Sequence, residues 1–363
     1  MTQQTNSGAS VLDEVGQLAR RYQVPIEDVI LIALNLHGVD SFEAHNRARL
    51  TLSLTRAPDD RFLIVVPLNR EGSPFRLYGD TLTLDGTVVA QVHSVDADAA
   101  IGGYFRAGGE VLTLNPNARS RCTGCAFCPT TLEVSADPRM SADHELTELL
   151  HALATQTPGG TLAGVREVTV STGCFEREDM AVHHLRALRR VLTAEGLDAR
   201  VGFLSSVLRS EEAFAALAAD VAPMLLYVTV ECFTRRELLL KSSKADLTAD
   251  QVPDLLRRAR TAGVDASFNY VVGLDPLGPV GEHVRRLAPH VSVFPNFQVF
   301  QAHNRFMESL RTPAAGELEF YLQSRRELEK VFTPLGLRPE SWRNYRPLWY
   351  FEYAGTPLTG PRI

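Results

Sequence analysis

The chain has 363 residues, 45% hydrophobic and 22% charged, with a formal net charge of −6. These values suit a globular protein of one large or two ordinary domains. A mildly acidic chain lacks the basic footprint that long nucleic acid or an anionic membrane requires, so neither is expected as a partner. The local cluster Arg257, Arg258 and Arg260 reads as a solvated helix face.

The first ten residues, MTQQTNSGAS, are polar and lack the apolar core of a signal peptide. No apolar run is long enough to span a membrane. The expectation is a cytoplasmic protein. Of five cysteines, three fall within the seven residues 122–128. Cysteines that close cannot form a disulfide framework, and without an export signal they read as metal or cluster ligands.

Residues 1–105 read as a small α+β appendage. Val11, Leu12, Val15, Leu18, Ala19 and Tyr22 share one helical face. A second helix fits between Pro25 and Gly38. The segments ARLTLSLT, RFLIVVPL and TLTLDGTVVAQV then read as strands, with a hairpin turn at Asp85-Gly86.

From about residue 110 the rhythm changes. Strand-length runs at 111–115, 165–172, 199–206, 224–231, 264–272 and 291–300 alternate with helical patterns near 142–155, 178–195, 210–219, 248–262, 280–288 and 316–332. Six β-then-α units in series imply parallel strands joined by right-handed crossovers. Eight would close a TIM barrel. Six imply a partial (β/α)6 TIM-like barrel over 106–333. The aromatic-rich segment 334–363, with SWRNYRPLWYFEY, is expected to cap it.

The chemistry is concentrated in NPNARSRCTGCAFCP, directly after the first barrel strand. In parallel β/α architectures that edge is where loops converge on a site. Cys122, Cys125 and Cys128 have C-x2-C-x2-C spacing. Structural zinc wants four ligands in two pairs, and here the second pair is missing. His144 or Cys174 would have to complete it at an untypical spacing. A bacterial ferredoxin run continues to a fourth cysteine, but Leu132 stands at that position. Three cysteines hold three irons of a cubane and leave the fourth without a protein ligand. From the residues alone a catalytic cluster, an electron-transfer cluster and zinc all stand.

Three clustered cysteines after the first of six β/α strands, with Phe127 before the last, resemble the radical S-adenosylmethionine superfamily over about residues 110–300. That family's pattern is C-x3-C-x-aromatic-C. Cys125-Ala126-Phe127-Cys128 supplies its second half. The first half is one residue shorter, with Arg121 at the usual cysteine position and Cys122 next to it.

The resemblance implies a [4Fe–4S] cluster on Cys122, Cys125 and Cys128, with S-adenosyl-L-methionine chelated at the open iron. It implies an external one-electron reductant of flavodoxin or ferredoxin type. Reductive cleavage then yields a 5′-deoxyadenosyl radical that abstracts hydrogen from substrate. Cofactor contacts are expected from Phe127, from Ser171, Thr172 and Gly173 at strand two, and from Ser205 with Ser206 at strand three. Glu231 at strand four and Asn269 and Gly273 at strand five complete the set. The bland alternative for Glu231 is a salt bridge to Arg235 or Arg236, and for Gly273 to Asp275 a plain turn.

Gln298, Gln301, His303, Asn304 and Arg305 cluster at the end of strand six as candidate substrate contacts, with His303 the group suited to proton transfer. Lys241 and Lys244, after strand four, read as solvated or as contacts for an acidic substrate. Cys174 and Cys232 stand just past strands two and four. Each reads as a packed small hydrophobe or as a hydrogen donor to a product radical. No cysteine follows Cys232, so no second cluster is expected. The substrate expected is a small polar metabolite. The competing expectation is a non-catalytic iron–sulfur or zinc protein.

Overall fold

The computed structural model describes residues 10–41, 46–97, 103–114, 124–128, 142–171, 175, 177–341 and 344–362. Helix α1 (Val11–Tyr22) starts at Ser10, whose Oγ accepts from the Asp13 N–H at 3.1 Å. Helix α2 (Ile26–His37) follows Pro25 and is buried from Asp28 to Leu36. Strands β1 (Arg47–Leu54), β2 (Ala57–Pro67), β3 (Phe75–Tyr78), β4 (Thr81–Leu84) and β5 (Thr87–Ala97) form an antiparallel sheet in the order β2-β1-β5-β4-β3. The hairpin at Asp85-Gly86 forms as expected. Both residues have positive φ, 49° and 80°, the backbone that tight two-residue hairpins need.

The second sheet begins with β6 (Gly103–Arg106) and β7 (Val111–Leu114), paired antiparallel. Then come α3 (Asp143–Ala154), β8 (Glu167–Ser171), α4 (Glu178–Ala194), β9 (Arg200–Leu204), α5 (Glu211–Asp220) and β10 (Met224–Glu231). Two short helices, α6 (Arg236–Leu239) and α7 (Ser242–Ala245), precede α8 (Val252–Thr261) and β11 (Asp265–Val272). The remainder is α9 (Leu277–Leu287), β12 (Asn296–Val299), α10 (Arg305–Ser309), α11 (Leu318–Phe332) and the small pair β13 (Glu352–Tyr353) and β14 (Thr356–Pro357).

All six expected strands form. β7 to β12 lie side by side in chain order, each parallel to the next. With β6 they make a seven-stranded sheet curled into a half-barrel, and among the described residues its edge strands β6 and β12 do not pair with each other. Two details differ from expectation. β6 adds an antiparallel edge across residue 105. The last strand shrinks to 296–299, since Pro295 has no N–H for the ladder.

Strand alternation gives the sheet two different faces. Val228, Val230, Phe268, Tyr270 and Phe297 belong to the main core. Thr229, Asn269 and Asn296 alternate with them and stand in register on three neighbouring strands. The C-terminal aromatics pack on the end of this sheet, with Trp349 and Tyr353 ring centroids 5.3 and 5.4 Å from Phe294. Among the described residues no helix is long and apolar enough to cross a membrane.

Candidate functional site

The site is built at the C-terminal ends of β9 to β12. At the end of β10 the pairing skips one residue: Thr229 faces Asn269, but Glu231 faces Tyr270. Glu231 takes φ +66°, a left-handed backbone rare for a residue with a side chain. Such a bulge re-aims the side chain it carries. The carboxylate is buried, and both oxygens are held. Lys244 Nζ lies 2.9 Å from Oε1, and Asn269 Nδ2 donates to Oε2 at 2.9 Å. Burial depresses the Lys244 pKa, but Glu231 and the nearby thiols outweigh it, leaving the ammonium above the ordinary lysine value.

Two corrections follow. Lys244 is buried at 9% exposure, not solvated. Arg235 and Arg236, the partners in the bland alternative for Glu231, bind main-chain carbonyls instead. Arg236 reaches those of Val230, Cys232, Lys244 and Leu247, and Arg235 those of Leu274 and Leu310. Arg236 thus fixes the whole turn from β10 through α7.

The cysteine loop packs on this turn. Ala126 N–H donates to Leu239 O at 2.9 Å, and Cys128 N–H to Cys125 O at 3.0 Å. Gly124 has φ +117°, and a Cβ there would lie 3.0 Å from the Lys241 Cβ, so glycine is required for the approach. Cys125 is buried with Cys232, Leu239, Leu240 and Phe300, and the Phe127 ring meets Phe300 edge-on at 6.4 Å. Burial raises the Cys125 thiol pKa. The Lys244 charge and a hydrogen bond from the Lys241 N–H pull against that rise. Cys232 is fully buried, and burial together with Asp275 pushes its thiol up as well. Cys122, Thr172, Gly173 and Cys174 lie outside the described residues. Among the described residues no three His, Cys, Asp or Glu side chains stand together as a metal site.

No protein-family model matches this chain, and no curated protein matches it.

The remaining candidates divide. Ser171 ends β8, half-buried. Ser205 and Ser206 are buried just past β9 and, with Phe175, Lys241 and Lys244, line a cavity of about 260 Å³. Ser205 Oγ accepts from the Val207 N–H at 3.2 Å. Thr229 Oγ1 and Asn269 Oδ1 are buried beside Glu231 without a hydrogen-bond partner.

Gly273 has φ +117°, and a Cβ there would sit 2.9 Å from the Tyr321 hydroxyl and 3.2 Å from the Phe300 Cβ. Asp275, two residues on, clamps the β10 turn. It accepts from the N–H groups of Phe233 and Thr234 at 2.7 and 2.8 Å, and from the Tyr270 hydroxyl at 2.9 Å.

The rim after β12 has a structural occupation that sequence reasoning missed. Gln301 Nε2 donates to Asn35 Oδ1 at 2.7 Å, joining α2 to the barrel, and Asn304 caps α10. Arg346 donates to Gln298 Oε1. His303 lies among Arg47, Arg346 and Arg70, and burial plus those cations lower its pKa to about 3. It is therefore neutral near pH 7. A strand-by-strand count of polar residues on one face would have found Thr229, Asn269 and Asn296. Nothing local marked Lys244 or Arg236 as buried.

Proposed function

We propose that this chain is a radical S-adenosylmethionine enzyme built on a partial (β/α)6 TIM-like barrel, acting on a small polar metabolite. Its [4Fe–4S] cluster is held by Cys122, Cys125 and Cys128. The observation that carries the reading is the seat of the loop bearing Cys125 and Cys128. It packs against the C-terminal ends of β10 to β12, beside the buried Glu231, Lys244 and Asn269. Loops at that edge of parallel strands are where such folds keep their chemistry.

Two of the three proposed donors, Cys125 and Cys128, lie among the described residues, and they sit on one short loop. Burial raises the Cys125 pKa and so opposes a bare thiolate. The Lys244 ammonium and the Lys241 N–H work against that rise, and iron would have to supply the rest of the compensation. When bound, a cluster with one iron free of protein ligands supplies the electron that breaks a carbon–sulfur bond of S-adenosylmethionine. The chain's own residues bind and orient. Glu231 is locked by two partners and offers its remaining lone pairs to a cationic or N–H group. Thr229 Oγ1 and Asn269 Oδ1 add unspent acceptors next to it. Cys232 packs against the same loop and is fully buried there, which suits a packed small hydrophobe.

Anaerobic reconstitution followed by reduction tests the reading. About four irons and four sulfides per chain are expected, together with 5′-deoxyadenosine formed from S-adenosylmethionine. Cys122→Ala, Cys125→Ala and Cys128→Ala should each lose the cluster absorbance. Bound zinc without iron, or a full cluster that yields no 5′-deoxyadenosine, would sink it in favour of a scaffold or electron carrier.

A further inference from the structure

Two short helices cover the cysteine loop. Leu239 of α6 accepts the Ala126 N–H at 2.9 Å, and Met307 of α10 is buried with Cys125, Leu239 and Leu240. Arg235 ties the two helices together. It stands at the start of α6 and donates to Leu310 O, just past α10, at 2.9 Å. Each helix hides one apolar residue and exposes the residue before it. Leu238 is 77% exposed and Phe306 62%, the two most exposed large apolar side chains among the described residues. The loop itself reaches this surface: Gly124 is exposed, and Ala126, Phe127 and Cys128 are half-buried.

The rim of this face is cationic. Arg235 and Arg305 are exposed, and Lys241 is half-buried. Arg305, expected among the substrate contacts, therefore stands on the outside of α10. Arg235 donates to carbonyls, which leave its charge in place. Glu237 is exposed and opposes these cations, whereas Glu308 is held by Arg70. The face is thus positive on a chain whose net charge is −6. Apolar side chains rimmed by charge mark a surface that meets another protein.

We propose that α6 and α10 form the docking face for an acidic one-electron carrier protein that reduces the group held by the cysteine loop. The inference rests on the cluster reading above and names the partner of that same site. Every electron passed to S-adenosylmethionine has to be replaced, and this face is where the loop comes nearest to solvent. One electron crosses at each encounter. The carrier leaves oxidised by one electron, and no atom is transferred. The acidity of the partner follows from the rim, since opposite charges steer the encounter and fix its register. Leu238 and Phe306 supply the apolar centre of the contact.

The test is calorimetric titration of the reconstituted full chain with a purified bacterial flavodoxin of net negative charge. The rate of 5′-deoxyadenosine formation with reduced flavodoxin is the second readout. The unaltered chain should bind flavodoxin, more weakly as salt rises, and should not bind cytochrome c, a basic carrier. Leu238→Glu and Phe306→Glu should each weaken binding about tenfold and slow the flavodoxin-driven reaction. With dithionite as reductant both variants should match the unaltered chain, which shows that they fold and keep the cluster. Glu237→Lys should tighten flavodoxin binding, an effect that misfolding cannot mimic. No binding of flavodoxin, equal binding of cytochrome c, or affinities that ignore all three substitutions would overturn the docking face alone. A dimer of the unaltered chain that Leu238→Glu dissolves would give the face to a second copy and overturn it too. If dithionite yields no 5′-deoxyadenosine with the unaltered chain, the cluster reading itself fails and the docking proposal falls with it.

Discussion

Lys244 and Glu231 face each other at 2.9 Å across the end of β10, and both are buried. Removing one partner of a buried pair leaves the other charge without compensation. Lys244→Met should therefore cost about 3–5 kcal/mol of stability in urea unfolding. Glu231→Gln should destabilise too, and the double variant should lose less than the sum of the two. Strict additivity would show that the pair is not coupled.

Much of the fold was legible because β10 and β11 carry long apolar runs whose helices follow at regular intervals. Asp85-Gly86 named its own turn by its chemistry. The site was only partly legible. Glu231 stood out as a carboxylate at the end of an apolar strand. Its partner lies 13 residues on, in a segment whose composition reads as surface. Gln301 and Asn304 looked like substrate contacts because sequence shows polarity but not what the polar atom meets. Asn35, 266 residues away, is the group that Gln301 meets.

Gly273 is held to glycine by both backbone and space, with φ +117° and Tyr321 Oη 2.9 Å from the would-be Cβ. Gly273→Ala should destabilise by about 1–3 kcal/mol, the range for backbone strain and overpacking. Tyr321→Phe removes the hydroxyl and should recover part of that loss in the double variant. No recovery in thermal melts would place the whole cost in the backbone.

Two histidines should make the fold acid-sensitive. Burial lowers His37 to about 4, and burial with neighbouring arginines lowers His303 to about 3. Both pKa values are depressed on folding, so the unfolded chain binds more protons once pH falls below about 6.5. Stability is full above that pH and falls until the folded values are reached. Between pH 7 and 5 each histidine should remove about 1–2 kcal/mol. His303→Gln should flatten the pH dependence of the urea midpoint. An unchanged slope would mean that His303 protonates freely in the folded state.

The appendage, the last barrel helix and the C-terminal segment meet at one buried pair. Asp28 of α2 binds Arg325 of α11, and its other oxygen accepts from the N–H groups of Tyr350 and Phe351 at 3.0 and 2.7 Å. Arg325 also donates to Leu348 O and Glu352 O, at 3.3 and 2.6 Å. Burial raises the Asp28 pKa despite the adjacent guanidinium, which marks how costly the site is for a lone charge. Asp28→Ala leaves two backbone N–H groups unpaired and Arg325 with Glu329 as its remaining carboxylate partner, at 3.0 Å, so a loss of about 3 kcal/mol is expected. The loss should be local first. The segment 344–362 should become open to limited proteolysis before the sheet unfolds. Asp28→Leu combined with Arg325→Met removes the fully buried pair and should be less destabilised than Asp28→Ala. The one charge left without its partner, Glu329, keeps the Trp349 Nε1 hydrogen bond at 2.7 Å and some access to water. If Asp28→Ala unfolds in one step with its C-terminal segment protected to the end, the pair does not act as the clasp of that segment.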